Sequence, residues 1–180
     1  MSAIIGAVQI AALLYGAQSL FVARPAFIVF DADRFDVVTA NELVRDAPFL
    51  YRDERFASTP IFRPIWVVAT PPDSTEERNR LLFSAVHGGP QTKDHPALYQ
   101  AWPPKQGINT SKLKPLRELA SASDAGNQAV RDAVDRSGLP ESDLAYVWLV
   151  GRAKIGVVIL ERKTLAIVLA SAIKPAGDVK

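Results

Sequence analysis

The chain holds two histidines, His87 and His95, and no cysteine. Without cysteine there is no disulfide, no thiolate metal site and no thiol nucleophile. His95 follows Asp94, a pairing that metal and base chemistry both use. A metal site, however, needs three or four convergent ligands, and the chain has one other histidine to offer. His87 falls at the expected end of a helix, where an imidazole meets the last carbonyls and the negative end of the dipole. Both histidines read as surface residues. Asp31, Asp33 and Asp36 form the other group with chemical potential. Asp31 and Asp33 would share one face of a strand, the beginning of a paired-carboxylate site. Aspartate is also a standard turn former, and this segment lies between two apolar runs, so a turn is the expected role. Ser84 is not in a Gly-x-Ser-x-Gly elbow. Gly88-Gly89-Pro90 lacks the Lys-Ser/Thr of a phosphate loop and follows a helix where such a loop precedes one. These residue types point to no catalytic, metal or cofactor site.

The elements that would carry them can be read from composition and periodicity. The 180 residues suit one domain plus a short extra segment, and 48% apolar content supplies a core. The 21 Lys+Arg against 19 Asp+Glu leave a net charge of +2, and no basic cluster carries interleaved aromatics, so nucleic acid is not an expected partner. Residues 1–23 contain no charged side chain; the first is Arg24. A run of this length at helical rise matches the hydrocarbon thickness of a bilayer. A cleaved signal would need a basic start and a small-x-small site near Ala23, and both are missing. A core helix of this length and uniformity would be unusual. The expectation is a transmembrane helix over 1–23, in contact with lipid, followed by one domain over 24–180. Arg24 and Arg34 lie on the domain side, which taken alone points the domain to the cytoplasm.

Beyond Arg24-Pro25 the pattern turns to β. Phe27 to Phe30 and Phe35 to Val38 read as a hairpin around Asp31-Ala32-Asp33. Thr39-Ala40-Asn41-Glu42 has capping-box spacing for a short helix. Residues 45–62 read as irregular and Ile65 to Ala69 as a strand. Ser74-x-x-Glu77 caps a helix whose Leu81, Leu82, Ala85 and Val86 share a face, and Gly88-Gly89-Pro90 ends it. Residues 89–110 read as a long proline-rich loop. Pro115 opens a helix through Leu119. Another follows Ser123 or Asp124, burying Ala129, Val130, Ala133 and Val134 and closing at Gly138 and Pro140. Leu144, Tyr146, Trp148 and Val150 alternate along a strand, and Ile155 to Leu160 and Leu165 to Leu169 follow as two more. The expected fold class is α+β: an N-terminal hydrophobic helix, then one domain with an antiparallel sheet and about three helices.

Three blocks, in order and spanning nearly the whole chain, now bear on identity. They are Ala23-Arg24-Pro25-Ala26-Phe27-Ile28-Val29-Phe30 with Asp33 to Leu43; Glu77-Arg78-Asn79 with Leu81 to Pro90; and Leu144-Ala145-Tyr146 with Leu149-Val150-Gly151-Arg152 and the strand pair beyond. Together they resemble type IV pilin accessory proteins of the TfpX/TfpZ kind. The resemblance implies an inner-membrane protein with a periplasmic domain that assists a cognate major type IV pilin, as chaperone or assembly modulator, without cofactor or catalysis. It places the domain opposite to the arginine count, because in longer members basic residues before this segment would set the orientation. The family has further membrane segments before the one matching Ile4 to Val22, which makes this chain a short or truncated form. The family's Lys-Thr-Gly turn is Lys163-Thr164-Leu165 here, so that turn must differ.

Recognition rather than turnover is then the expected mechanism. Small residues let membrane helices approach closely, and Ala3, Gly6 and Ala7 offer one such face, Ala12, Gly16 and Ala17 another. Tyr99 and Trp102, in the proline-rich loop, are candidate aromatic anchors for a partner, or else fold under the loop. Two other readings stay open: a small cell-envelope enzyme using Asp/Glu or Ser chemistry, and a structural envelope protein that self-associates through the exposed edges of Ile155 to Leu169.

Overall fold

The computed structural model describes residues 2–45, 49–104 and 108–173. It is an α+β fold: an isolated apolar helix, an eight-stranded mixed sheet and three further helices. Helix α1, Ser2–Val22, has none of the window Ile5–Val22 buried against the rest of the chain. Its 21 residues rise roughly 30 Å, the thickness of a hydrocarbon core. It is the one helix among the described residues long and apolar enough to cross a membrane.

Strands β1 (Pro25–Asp31) and β2 (Arg34–Thr39) form the expected hairpin, turning through Ala32 at φ 58°. Strand β3 (Ile65–Ala69) lies beside β1, and β4 (Tyr99–Ala101) beside β3. On the other flank β2 is followed by β6 (Leu144–Val150), β7 (Ile155–Glu161) and β8 (Ile167–Ala172), giving the order β4-β3-β1-β2-β6-β7-β8. The two-residue β5 (Lys114–Pro115) pairs with the start of β6, on Tyr146 and Ala145. Two of these pairings, β1 with β3 and β2 with β6, are parallel, so the sheet is mixed where an antiparallel one was expected. The connections explain this. The chain leaves β2 and returns to start β3 at the end where β1 starts, and only a parallel neighbour of β1 can begin there. The last strand starts two residues later than its apolar run suggests, because Leu165 takes φ 59° and tucks into the core as part of the turn.

Helix α2 (Thr75–Val86) is capped by Ser74, whose hydroxyl accepts from the Glu77 amide at 3.5 Å, and stops at Gly88, φ 76°. Helix α3 (Leu116–Ala122) begins one residue after Pro115. Helix α4 (Asp124–Ser137) is capped by Ser123 and closed by Gly138, whose amide donates to the Val134 carbonyl at 2.8 Å. Its buried face is Ala129, Val130 and Ala133, with Val134 at the margin.

Both sheet faces are covered, which is why β1 is buried along residues 26–30. On one face Ile28, Phe30, Phe35, Val68, Val147, Val158 and Leu160 meet Trp102, Ile108, Leu113 and Leu165 from the connecting segments. The opposite face splits in two. Leu144, Tyr146, Val157 and Ile159 lie under α3 and α4, while Phe27, Val29, Val38, Val67 and Tyr99 lie under Phe56 and Leu43.

Only half of the capping box at Thr39 forms, and no helix follows: the Glu42 amide donates to the Thr39 backbone carbonyl, not to its hydroxyl. The Glu42 carboxylate accepts from the Thr39 amide and hydroxyl, both at 2.7 Å. The next two amides go elsewhere: Ala40 donates to the Arg24 carbonyl and Asn41 to the Val22 carbonyl, each at 3.0 Å. The Val22 carbonyl is one of those left open at the end of α1, and Arg24 lies two residues beyond it. The turn instead locks α1 to the hairpin.

Candidate interaction surface

The aromatic anchors expected in the proline-rich segment are structural. Tyr99 is fully buried in β4, edge-on to Phe27 at 5.1 Å, and its hydroxyl donates to the Lys93 carbonyl. Burial first, and then the nearby carboxylates of Asp94, Asp31 and Glu42, hold its phenol far above the ordinary range. Tyr99 therefore offers nothing to a partner. Trp102 is half-buried, ring to ring with Phe35 at 4.9 Å and Phe30 at 5.3 Å, and its indole N–H donates to the Leu165 carbonyl at 2.9 Å. Trp102 is folded under the loop, while Tyr99 packs within the sheet beneath Phe56.

The small residues of α1 are free of the domain. Ala7, Ala12, Gly16 and Ala17 are exposed, and a Cβ added at Gly6 or Gly16 would meet nothing within 4 Å. Ala3 lies in the same helix, its side chain outside the described set. At 3.6 residues per turn Gly6 and Gly16 stand roughly 80° apart around the axis, so the two groups are separate patches.

The surface that sequence reasoning missed is on α2. The periodicity of Leu81, Leu82, Ala85 and Val86 is real, but only Leu81 is buried. Leu82, Phe83 and Val86 are 65%, 68% and 81% exposed. Spaced at i, i+1 and i+4, they form one apolar stripe facing solvent. Beside it Asp31, Pro71, Pro72, Arg78, Leu82 and Ala85 line a cleft of about 360 Å³. An apolar helix face with a cleft at its margin and an Asp and an Arg at the rim is suited to dock an amphipathic segment. The signal available in sequence was Phe83, apolar yet off the face that Leu81 buries.

The polar residues with chemical potential meet nearby. Asp33 is exposed at the hairpin turn. Asp31 and Asp36 project from one face of the hairpin, but their roles differ. Asp36 is 6% exposed, with one oxygen 3.2 Å from Lys93 Nζ and the other 3.2 Å from Arg34 Nε. Both oxygens are held in a structural ion pair. Burial, and then the Asp36 charge, push the Asp31 carboxyl above its usual range. A larger hollow of about 660 Å³ lies over Phe30, Val68 and Gln100; Arg52 and Asp73 on its rim pair with each other at 3.2 Å. Among the described residues no three His, Cys, Asp or Glu side chains converge as metal ligands. Edge availability is narrower than the strand pattern suggests: β7 is paired on both sides, leaving β8 as the edge of that flank.

His87 sits as expected, exposed at the end of α2 with Nδ1 2.8 Å from the Phe83 carbonyl. His95 does not. The 3-10 turn Pro96–Leu98 carries it inward, to 5% exposure, edge-on to Phe49 at 5.2 Å. Neither ring nitrogen has a hydrogen-bond partner among the described residues. Burial lowers its pKa from 6.5, and the neighbouring Asp94 charge only partly opposes this. A depressed folded-state pKa gives stability that is complete above the unfolded value and is lost as pH falls toward the folded one. Unfolding stability is therefore expected to decline from pH 6.5 downward, by about 1.4 kcal/mol per tenfold gap in proton affinity. Asp31 and Asp94, both raised by burial, give the opposite slope nearer the carboxylate range. Urea titrations of the full chain in detergent at stepped pH test this: His95→Leu should flatten the upper part of the profile, and an unchanged slope would refute the assignment.

Comparison with known proteins finds no matching family model, no matching curated protein and no matching solved structure.

Proposed function

We propose that this chain is a membrane-tethered binding protein of the cell envelope, an accessory that assists a major type IV pilin as chaperone or assembly modulator, with α1 in the inner membrane and the domain in the periplasm. The observation that carries the binding role is the pair of apolar surfaces left open at opposite ends of β1: Ile5–Val22 of α1, and the Leu82, Phe83 and Val86 stripe on α2. The block Leu81 to Pro90, part of the resemblance to pilin accessory proteins, coincides with that stripe and its helix stop. In this reading the small residues of α1 pack against the partner's membrane helix, and the α2 stripe meets its head.

The test is co-expression with the major pilin of the same genome, crosslinking in membranes, and recovery through a tag on this chain. Wild type should recover pilin. Leu82→Ser combined with Phe83→Ser should lower recovery about tenfold, the effect of losing an apolar anchor pair, with the chain's own level unchanged because both side chains face solvent. No pilin recovered by correctly inserted wild type would end the pilin reading. Undiminished recovery by the double variant would remove α2 as the contact.

A further inference from the structure

The segment 60–64 reads Pro60-Ile61-Phe62-Arg63-Pro64 and joins the 3-10 turn Glu54–Phe56 to β3. Its two apolar side chains have no place in the core: Ile61 is 58% exposed and Phe62 is 99% exposed. It lies beside the end of α1. The Arg24 Nε, two residues past the end of the helix, donates to the Pro60 carbonyl at 3.3 Å. The parallel register sets Ile65 beside Phe27, so the chain entering β3 passes next to the chain leaving α1. Arg24 also caps the helix end, its guanidinium 3.8 Å from the Phe21 ring centroid and donating to the Phe21 carbonyl.

We propose that loop 60–64 inserts Ile61 and Phe62 into the headgroup–acyl boundary of the bilayer that α1 crosses, making a second membrane contact that fixes the tilt of the domain. The inference rests on reading α1 as the membrane helix. Three observations select lipid as the occupant. The loop lies beside the end of the apolar helix, bonded to Arg24 two residues past it. Its apolar tip is flanked by the cations Arg24 and Arg63, with Arg63 exposed, the arrangement that places side chains in the acyl boundary and guanidinium groups among anionic headgroups. Two prolines limit the backbone, so the tip is presented outward without collapsing onto the sheet. A protein partner would meet this tip only within the headgroup layer, where lipid already competes for it.

The chain's lack of cysteine makes the test direct. Leu13→Cys, Phe62→Cys and Phe83→Cys, each in an otherwise unchanged full chain, are labelled with a nitroxide. The labelled chains are reconstituted into vesicles of zwitterionic and anionic phospholipid. Collision with oxygen, which concentrates in lipid, is compared with collision with a water-soluble nickel chelate. The expected result is a lipid-type ratio at 13 and 62, several-fold above the aqueous ratio at 83. A lipid-type ratio at 13 with an aqueous ratio at 62 overturns the loop insertion and leaves the membrane helix standing. An aqueous ratio at 13 overturns the membrane helix, and the loop proposal with it. All three sites are exposed, so the fold tolerates the labels.

Discussion

Phe35→Ala should lower the stability of the domain by about 3–5 kcal/mol, the cost of deleting a buried aromatic side chain from a core that cannot collapse around the hole. Phe35 has no exposed surface. It sits in the middle strand β2 with its ring edge-on to Phe30 at 5.2 Å, Trp66 at 5.0 Å and Trp102 at 4.9 Å. The cavity would open beneath all three rings at once. Each aromatic pair adds about 0.5–1.5 kcal/mol beyond area burial, so Phe35→Leu, which keeps most of the volume, should still cost about 1–2 kcal/mol. The effect is read from urea midpoints of the full chain in detergent. Near-ultraviolet circular dichroism should lose the ordered signal of Trp66 and Trp102 in parallel. A loss under about 1 kcal/mol for the alanine variant would mean that the cluster is looser than these ring distances require.

Gly126→Ala sets two effects against each other, and their magnitudes decide the sign. Alanine gains about 1 kcal/mol over glycine within a helix. A Cβ on Gly126, however, would lie 2.2 Å from the Leu119 carbonyl oxygen and 3.1 Å from its carbon. Those are backbone atoms of α3, which cannot swing aside as a side-chain tip can. Relieving the overlap means prising α4 away from α3 and weakening the Ser123 cap that joins them, in which the Gly126 amide donates to Ser123 Oγ at 3.0 Å. Overpacking of this kind costs about 1–3 kcal/mol or more, and loss of a cap about 1 kcal/mol. The expected net change is a loss of about 1–3 kcal/mol. A rise in the urea midpoint would show that α3 and α4 are not in such close approach.

Local chemistry was legible wherever one residue type dictates backbone geometry. Ser74 and Glu77 marked the start of α2, Gly88 its end and Gly138 the end of α4, because caps and left-handed glycines act within a few residues. The strand β6 was legible as a short apolar run rich in aromatic and β-branched residues, and both of its faces meet core. Three things were hidden for physical reasons. The parallel pairing of β1 with β3 depends on where a long connection returns, and an apolar run such as Phe27 to Phe30 suits either direction. The strand around Gln100 has three residues, too few to show a period, so Tyr99 looked like a loop aromatic. Exposure of the α2 stripe could not be read from its periodicity, since a helical apolar face looks the same whether a core or a partner covers it. Thr39 adds a further case. The Glu42 carboxylate meets the Thr39 amide as the spacing dictates, but no helix follows, and the next two amides bond to carbonyls at and just past the end of α1, which local pattern does not show.

Those two bonds have a mechanical consequence. The bonds from Ala40 and Asn41 to the Arg24 and Val22 carbonyls tie the end of the helix directly to the hairpin. β1 then acts as a spacer of about 20 Å, six steps of extended chain, between the end of the hydrophobic helix and the cleft that Asp31 shares with α2. A partner gripped at both ends must match that length, and one of a different span can be held at only one of them. The orientation is settled before the encounter, so a matching partner loses less freedom on capture. Under the proposed binding role, selectivity among partners would reside in a distance as much as in any side chain, and inserting residues between Val22 and Pro25 would loosen discrimination without touching either proposed contact surface.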